Sequence, residues 1–162
     1  MMIRLSKTLL VAAIGFFAFL VAFGNITDYG TNFAFVQHVF LMDTIFPDAA
    51  IKYRAIDTPW IHHAGYIGII ALESLTAILC LAGAWIMFKN RHGLDFNKSK
   101  RVAVAGLTLG FLTWQVAFMS VGGEWFGMWM SKTWNGVPDA FRFFITILLV
   151  LIYVVQRDEF DD

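Results

Sequence analysis

The chain has 162 residues, the length of one domain; 59% are hydrophobic and 15% charged, where soluble domains carry about 25% charged residues. A soluble globule of this size cannot hide so much apolar surface, and a disordered chain would not carry it. The formal net charge is zero and there is one cysteine, Cys80, which excludes an electrostatic nucleic-acid binder, an internal disulfide and a Cys-based zinc cluster.

In chain order, the first predicted span is 8–24, free of charge and preceded by Arg4 and Lys7. Its apolar run exceeds the usual 7–15 residues of a signal-peptide core, so we expect an uncleaved helix. The stretch from Asn25 to His63 follows and is too long for structureless chain in a compact protein. Within it, 33–46 places Phe33, Val36 and Phe40 on one helical stripe and Phe35, Val39, Met42 and Phe46 on another, which predicts a helix packed on the bundle or lying in the interface. Asp57-Thr58-Pro59 reads as a cap followed by proline in the first turn.

The second span, 64–88, contains one charge, Glu73. A basic loop with Lys89, Arg91, Lys98, Lys100 and Arg101 leads to the third span, 102–121, which has none. A Trp-rich loop, 122–138, carries Trp125, Trp129 and Trp134, the density of an aromatic belt at headgroup level. The fourth span, 138–155, opens on Pro138 and contains Arg142. Each is close to the 17–25 residues that cross a hydrocarbon core. The expected fold is all-α: a single membrane domain over 1–162, a four-helix bundle capped on its outer face by a helix and aromatic side chains.

Arg4, Lys7, the 89–101 loop and Arg157 hold eight of the twelve basic residues. The positive-inside rule then places both termini in the cytoplasm and the 25–63 and 122–138 loops outside, in a multi-pass bacterial inner-membrane protein with no soluble domain at either end. The acidic residues of the tail, Asp158 to Asp162, count little in that rule.

The outer loops are also where the chain is recognisable. Asn25-Ile26-Thr27-Asp28-Tyr29-Gly30, Phe35-Val36-Gln37-His38-Val39 and Met42-Asp43-Thr44 resemble a family of small bacterial integral membrane proteins of unknown function. Gly122-Gly123-Glu124-Trp125-Phe126, Met128-Trp129, Trp134-Asn135-Gly136 and Ala140-Phe141-Arg142-Phe143-Phe144 are similar to its second signature. The resemblance covers nearly the whole chain and implies four membrane helices. It implies no catalytic residue or ligand.

Glu73 lies about 16 Å along its helix from His62, near the midplane. At 100° per residue His62, Tyr66, Glu73, Thr76 and Cys80 share one stripe, as do Arg142, Thr146, Leu149 and Tyr153 on the last helix, and Thr108 with Gln115 on the third. Because charge in the bilayer is costly, such groups are expected to turn inward and find partners. We therefore expect Glu73 to pair with Arg142, assisted by Gln115, as a register-fixing ion pair or part of a proton or substrate path. His38, Asp43, Glu124, Trp125 and Trp129 are the outer-face candidates.

His38, His62 and Glu124 have the chemistry of metal ligands, and two histidines suit a haem, but no ligand signature joins them and no cofactor is expected. No Ser-His-Asp arrangement or phosphate loop is present in the sequence. The expected function is non-catalytic: an accessory or interaction subunit in the lipid bilayer, partnered by other membrane subunits or by itself. The alternative is an outer-side site for a small ligand, quinone, haem or metal, linked to redox chemistry or transport, using Glu73, Arg142 and the outer histidines.

Overall fold

The computed structural model describes residues 1–158. Four helices are long and apolar enough to cross a membrane: α1 (Met2–Thr27), α3 (Pro59–Lys89), a third continuous rod over Phe96–Trp125, and α6 (Val137–Val155). All four predicted spans are present; the first three are extended by polar or aromatic residues at both ends, and the fourth by Val137 alone. Between the first two lies α2 (Tyr29–Leu41), followed by a 3₁₀ turn, Ala50–Arg54. Among the described residues there is no strand, and the fold is an all-α bundle.

Local sequence explains the boundaries. Pro59 opens α3 in its first turn, where a missing N–H costs nothing, and Pro138 does so for α6. The α2 helix stops because Met42 adopts a left-handed conformation, φ 50°. Met42 is buried nonetheless, whereas Phe46 lies beyond the helix end and is exposed, so the expected second stripe of that helix stops short of Phe46.

The third rod is composite. It comprises a short helix α4 (Phe96–Ser99), then α5 (Arg101–Leu112), then a π-helical stretch, Thr113–Trp125. The wide turn is closed by bonds of i→i−5 type, such as Phe126 N–H to the Val121 carbonyl at 3.0 Å. It carries the helix past Val121, so Glu124 and Trp125 end a membrane helix rather than lying in the loop expected after 121.

Helix α3 is the centre of the bundle, packed on α1 and α5, with α6 against α5 and the π stretch. Close approach depends on two glycines. A Cβ on Gly83 would collide with the Ala103 backbone, and one on Gly106 would fall 2.8 Å from the Cys80 nitrogen. The main core joins Val11, Ile14, Met87, Leu107, Trp114, Ile147 and Val154. A separate small core of Met42, Ile45 and Phe126 lies at the end away from the termini, where α2 and the loops that follow α2 and the third rod form the cap.

Candidate functional site

The polar stripe of α3 is buried over its length: His62, Tyr66, Glu73, Thr76 and Cys80 are all at most 2% exposed. Glu73 receives a hydrogen bond from the Asn25 side-chain amide at 2.7 Å. The Tyr66 hydroxyl donates to the Asn25 backbone carbonyl at 3.0 Å and lies 3.3 Å from its side-chain oxygen. A carboxyl, an amide and a phenol are thus joined between α1 and α3.

Tyr29 sets its ring edge-on against Tyr66, 4.7 Å between centroids. Its hydroxyl is 2.8 Å from His63 Nδ1, and His63 stacks on Phe33 at 4.1 Å. Polar groups therefore run from the buried Glu73 to the exposed His63.

The expected Glu73–Arg142 pair does not form. Arg142 is exposed and pairs with Asp139 one turn away. The inward face of α6 belongs to Ala140, Ile147, Val150 and Val154, which leaves Arg142, Thr146 and Leu149 on its outside. Thr108 is likewise exposed, and Gln115 is half-buried on the π stretch, its backbone carbonyl accepting from Ser120. Among the described residues no cation forms an ion pair with Glu73; Asn25 takes the position expected of Arg142.

The histidines at this end are separately engaged. His38 Nδ1 is 2.7 Å from Asp43, and its ring stacks on Trp134 at 4.6 Å. His62 Nε2 donates to the Ile56 carbonyl at 2.7 Å, fixing the bend that returns the chain into α3, while its buried Nδ1 has no hydrogen-bond partner among the described residues. Glu124 is exposed. His38, His62 and Glu124 do not converge, and among the described residues no three His, Cys, Asp or Glu side chains form a metal-holding group. Trp125 lies beneath the Arg54 guanidinium, 4.5 Å to the ring centroid, and Trp129 stands edge-on to Phe46. Both indoles are about half exposed, as interfacial anchors are.

Beside this network is a cavity of about 460 Å³. It is walled by Val36 and Phe40 of α2, Ile69 and Leu72 of α3, and Leu112 and Val116 of the third rod. Thr113 also lines it, but its hydroxyl donates to the Leu109 carbonyl at 2.9 Å. The interior offers a guest hydrocarbon contacts and little else. Leu72, Leu112, Val116 and Val121 are exposed on the side where the bundle meets lipid, so the cavity opens laterally.

A family model described as a predicted small integral membrane protein (DUF2165) matches residues 3–157. The chain belongs to this family. The match runs from α1 through the last turn of α6, so it covers the cap and both signature motifs as well as the spans. No curated protein and no solved structure matches the chain. Within this integral membrane family the site itself must supply the chemistry, and it offers a buried carboxyl–amide–phenol group beside an apolar cavity.

The sequence reading missed Asn25, which it assigned to a loop, and gave no role to Tyr29. A signal existed for the first. Asn25 continues the inward stripe Val11, Ala18 and Ala22 at heptad spacing on α1.

Proposed function

We propose that this DUF2165 protein is a non-catalytic component of a bacterial inner membrane that seats the hydrocarbon tail of a lipid or isoprenoid molecule in the cavity between α2, α3 and the third rod. The supporting observation is the lining. A pocket of about 460 Å³ is in the size range of small-molecule sites, but its one hydroxyl is already bonded within its own helix. Such a wall favours a long apolar chain over a metal or haem, which needs converging ligands. Glu73, Asn25 and Tyr66 lie behind the α3 wall and do not line the cavity; in this reading they hold α1 to α3. The cap of α2 and the loop after Trp125, which puts Phe126 and Met128 in the lining, closes the cavity at the headgroup level.

The test is lipid analysis of the protein purified in mild detergent. Wild type should retain a defined apolar lipid after extensive washing, whether phospholipid or isoprenoid quinone. Val116→Trp, which fills the lateral opening, should lose it while still eluting as a folded species. Equal lipid content in the two proteins would overturn the proposal.

A second reading is favoured by α6. Arg142 and Thr146 put polar groups on a face that otherwise meets lipid, where such groups are uncommon unless another helix covers them. This supports an accessory subunit that contacts another membrane protein, or its own copy, through α6. Site-specific photocrosslinking from position 149 would capture that partner; crosslinks to lipid alone would sink this reading. The N-in, C-in orientation belongs to the same proposal and is supported by the basic residues at the end carrying both termini.

A further inference from the structure

At the end of the bundle that carries both termini lies a second pocket, of about 530 Å³ and opposite in chemistry. Arg4 and Lys7 of α1, Arg91 and His92 of the loop after α3, and Arg157 and Asp158 after α6 line it. Among the described residues, four permanent cations therefore surround one carboxylate, and that carboxylate is already shared. Asp158 Oδ2 receives Lys7 Nζ at 2.8 Å and also pairs with Lys100 behind the wall. Arg4 donates to the carbonyls of Arg91 and Gly93 at 3.2 and 3.1 Å, which holds the loop after α3 against α1. Arg157 is exposed and Arg91 half-buried, so the rim of the pocket stays positive after the internal pairing is taken into account.

We propose that this pocket binds a phosphate-bearing anion, with the headgroup of an anionic membrane lipid and a free phosphate as its two sources. Basic pockets between membrane helices at headgroup depth are suited to lipid phosphates, and guanidinium groups match phosphate geometry in pairs. Its position is consistent with that chemistry. Tyr153 of α6 lies in the wall and carries the apolar lining of the bundle up to the charged rim. The inference is independent of the apolar cavity at the other end and of which leaflet this end faces.

The test counts lipids held by the purified full chain, using native mass spectrometry with micelles doped with phosphatidylglycerol or with phosphatidylcholine. Wild type should retain phosphatidylglycerol preferentially. Arg91→Gln and Arg157→Gln should each weaken retention about fivefold, the effect expected of one cation near a membrane surface. Lys52→Gln, on the exposed 3₁₀ turn at the opposite end, should leave it unchanged. Displacement of the lipid by millimolar inorganic phosphate identifies a free-phosphate site, whereas resistance identifies a headgroup site; either supports the proposal. A chain ending at Asp158, which removes the acidic residues Glu159, Asp161 and Asp162, should bind at least as well. Equal retention of both lipids without phosphate binding, indifference to both arginine substitutions, or loss of binding in the shortened chain would overturn it.

Discussion

Asp158 is expected to be the most costly single charge to remove. It accepts Lys7 at 2.8 Å and Lys100 at the same oxygen, and the three side chains are 2%, 5% and 6% exposed for Lys7, Lys100 and Asp158. Asn97 completes the clamp, donating to the Asp158 carbonyl at 2.8 Å and accepting from its N–H at 3.0 Å. Asp158→Asn keeps the shape and one acceptor but leaves two ammonium groups together in a nearly dry site. Stripping one partner from a buried ion pair costs about 3–5 kcal/mol. Here both lysines retain the Gln156 carbonyl at 2.8 Å, and the site is one layer from solvent, so we expect about 3 kcal/mol. The assay is unfolding by SDS in mixed micelles. Adding Lys7→Met to Asp158→Asn should recover part of the loss, because one unpaired charge is gone. The pH dependence has a definite sign. Burial pulls the Asp158 carboxyl upward, but Lys100 and Lys7 outweigh it and hold the group below the ordinary carboxylate value. Its stabilisation is then complete above the unfolded value of about 3.9 and is lost as pH falls through the lower folded value. The advantage of wild type over Asp158→Asn should be undiminished at pH 5 and shrink below about pH 4. A loss under about 1 kcal/mol at neutral pH, or a gap that persists undiminished well below the folded value, would refute the reasoning.

Arg142→Gln should change stability by at most about 0.5 kcal/mol in the same assay, since its pair with Asp139 is exposed; a loss of several kcal/mol would mean that Arg142 is buried after all. Asn25→Ala should cost about 1–3 kcal/mol by leaving Glu73 without its buried donor, while Tyr66 keeps the backbone carbonyl of residue 25; Glu73→Gln, which keeps an acceptor for Asn25, should cost less. A larger loss from Glu73→Gln than from Asn25→Ala would show that the charge, not the hydrogen bond, holds α1 to α3. Gly83→Ala should destabilise despite its better helix propensity, because the new methyl meets Ala103 backbone. Gly68→Ala, with nothing within 4 Å of the added carbon, should gain up to about 1 kcal/mol, and the opposite signs can be read from paired unfolding curves.

The four spans were legible because runs such as 8–24 and 102–121 carry no charge, and charge is what a bilayer excludes. The α3 stripe was legible from angular period alone, which is a property of one helix. The partner of Glu73 was not, because it depends on which helix lies beside which. Charge type favoured Arg142, yet α3 lies against α1 and not on the Arg142 face of α6. The apolar residues of α6 held a correction. Ala140, Ile147, Val150 and Val154 form one arc, and Arg142 lies about 125° from its centre at 100° per residue. The π-helical widening of Thr113–Trp125 had no comparable signal, since its residues suit an ordinary membrane helix and only packing selects the wider turn.

One stripe on α1 links the two chemically distinct ends of the molecule. Arg4, Lys7, Val11, Ala18, Ala22 and Asn25 all fall within about 40° of Val11 when the helix is viewed down its axis. The middle of the stripe is small and apolar, which lets α1 approach α3 so closely that a Cβ on Gly15 would touch Leu81. The ends of the same stripe hold Lys7 for Asp158 and Asn25 for Glu73. Charge and amide are thus placed only where the stripe passes out of its apolar middle, and each is matched by a group from a different part of the chain. Loss of α1 would remove Lys7 from the ionic clamp and strip α3 of its most extensive neighbour. Arg4 and Lys7 tie the loop after α3 and the end of α6 to one helix, and they build the wall of the cationic pocket in doing so.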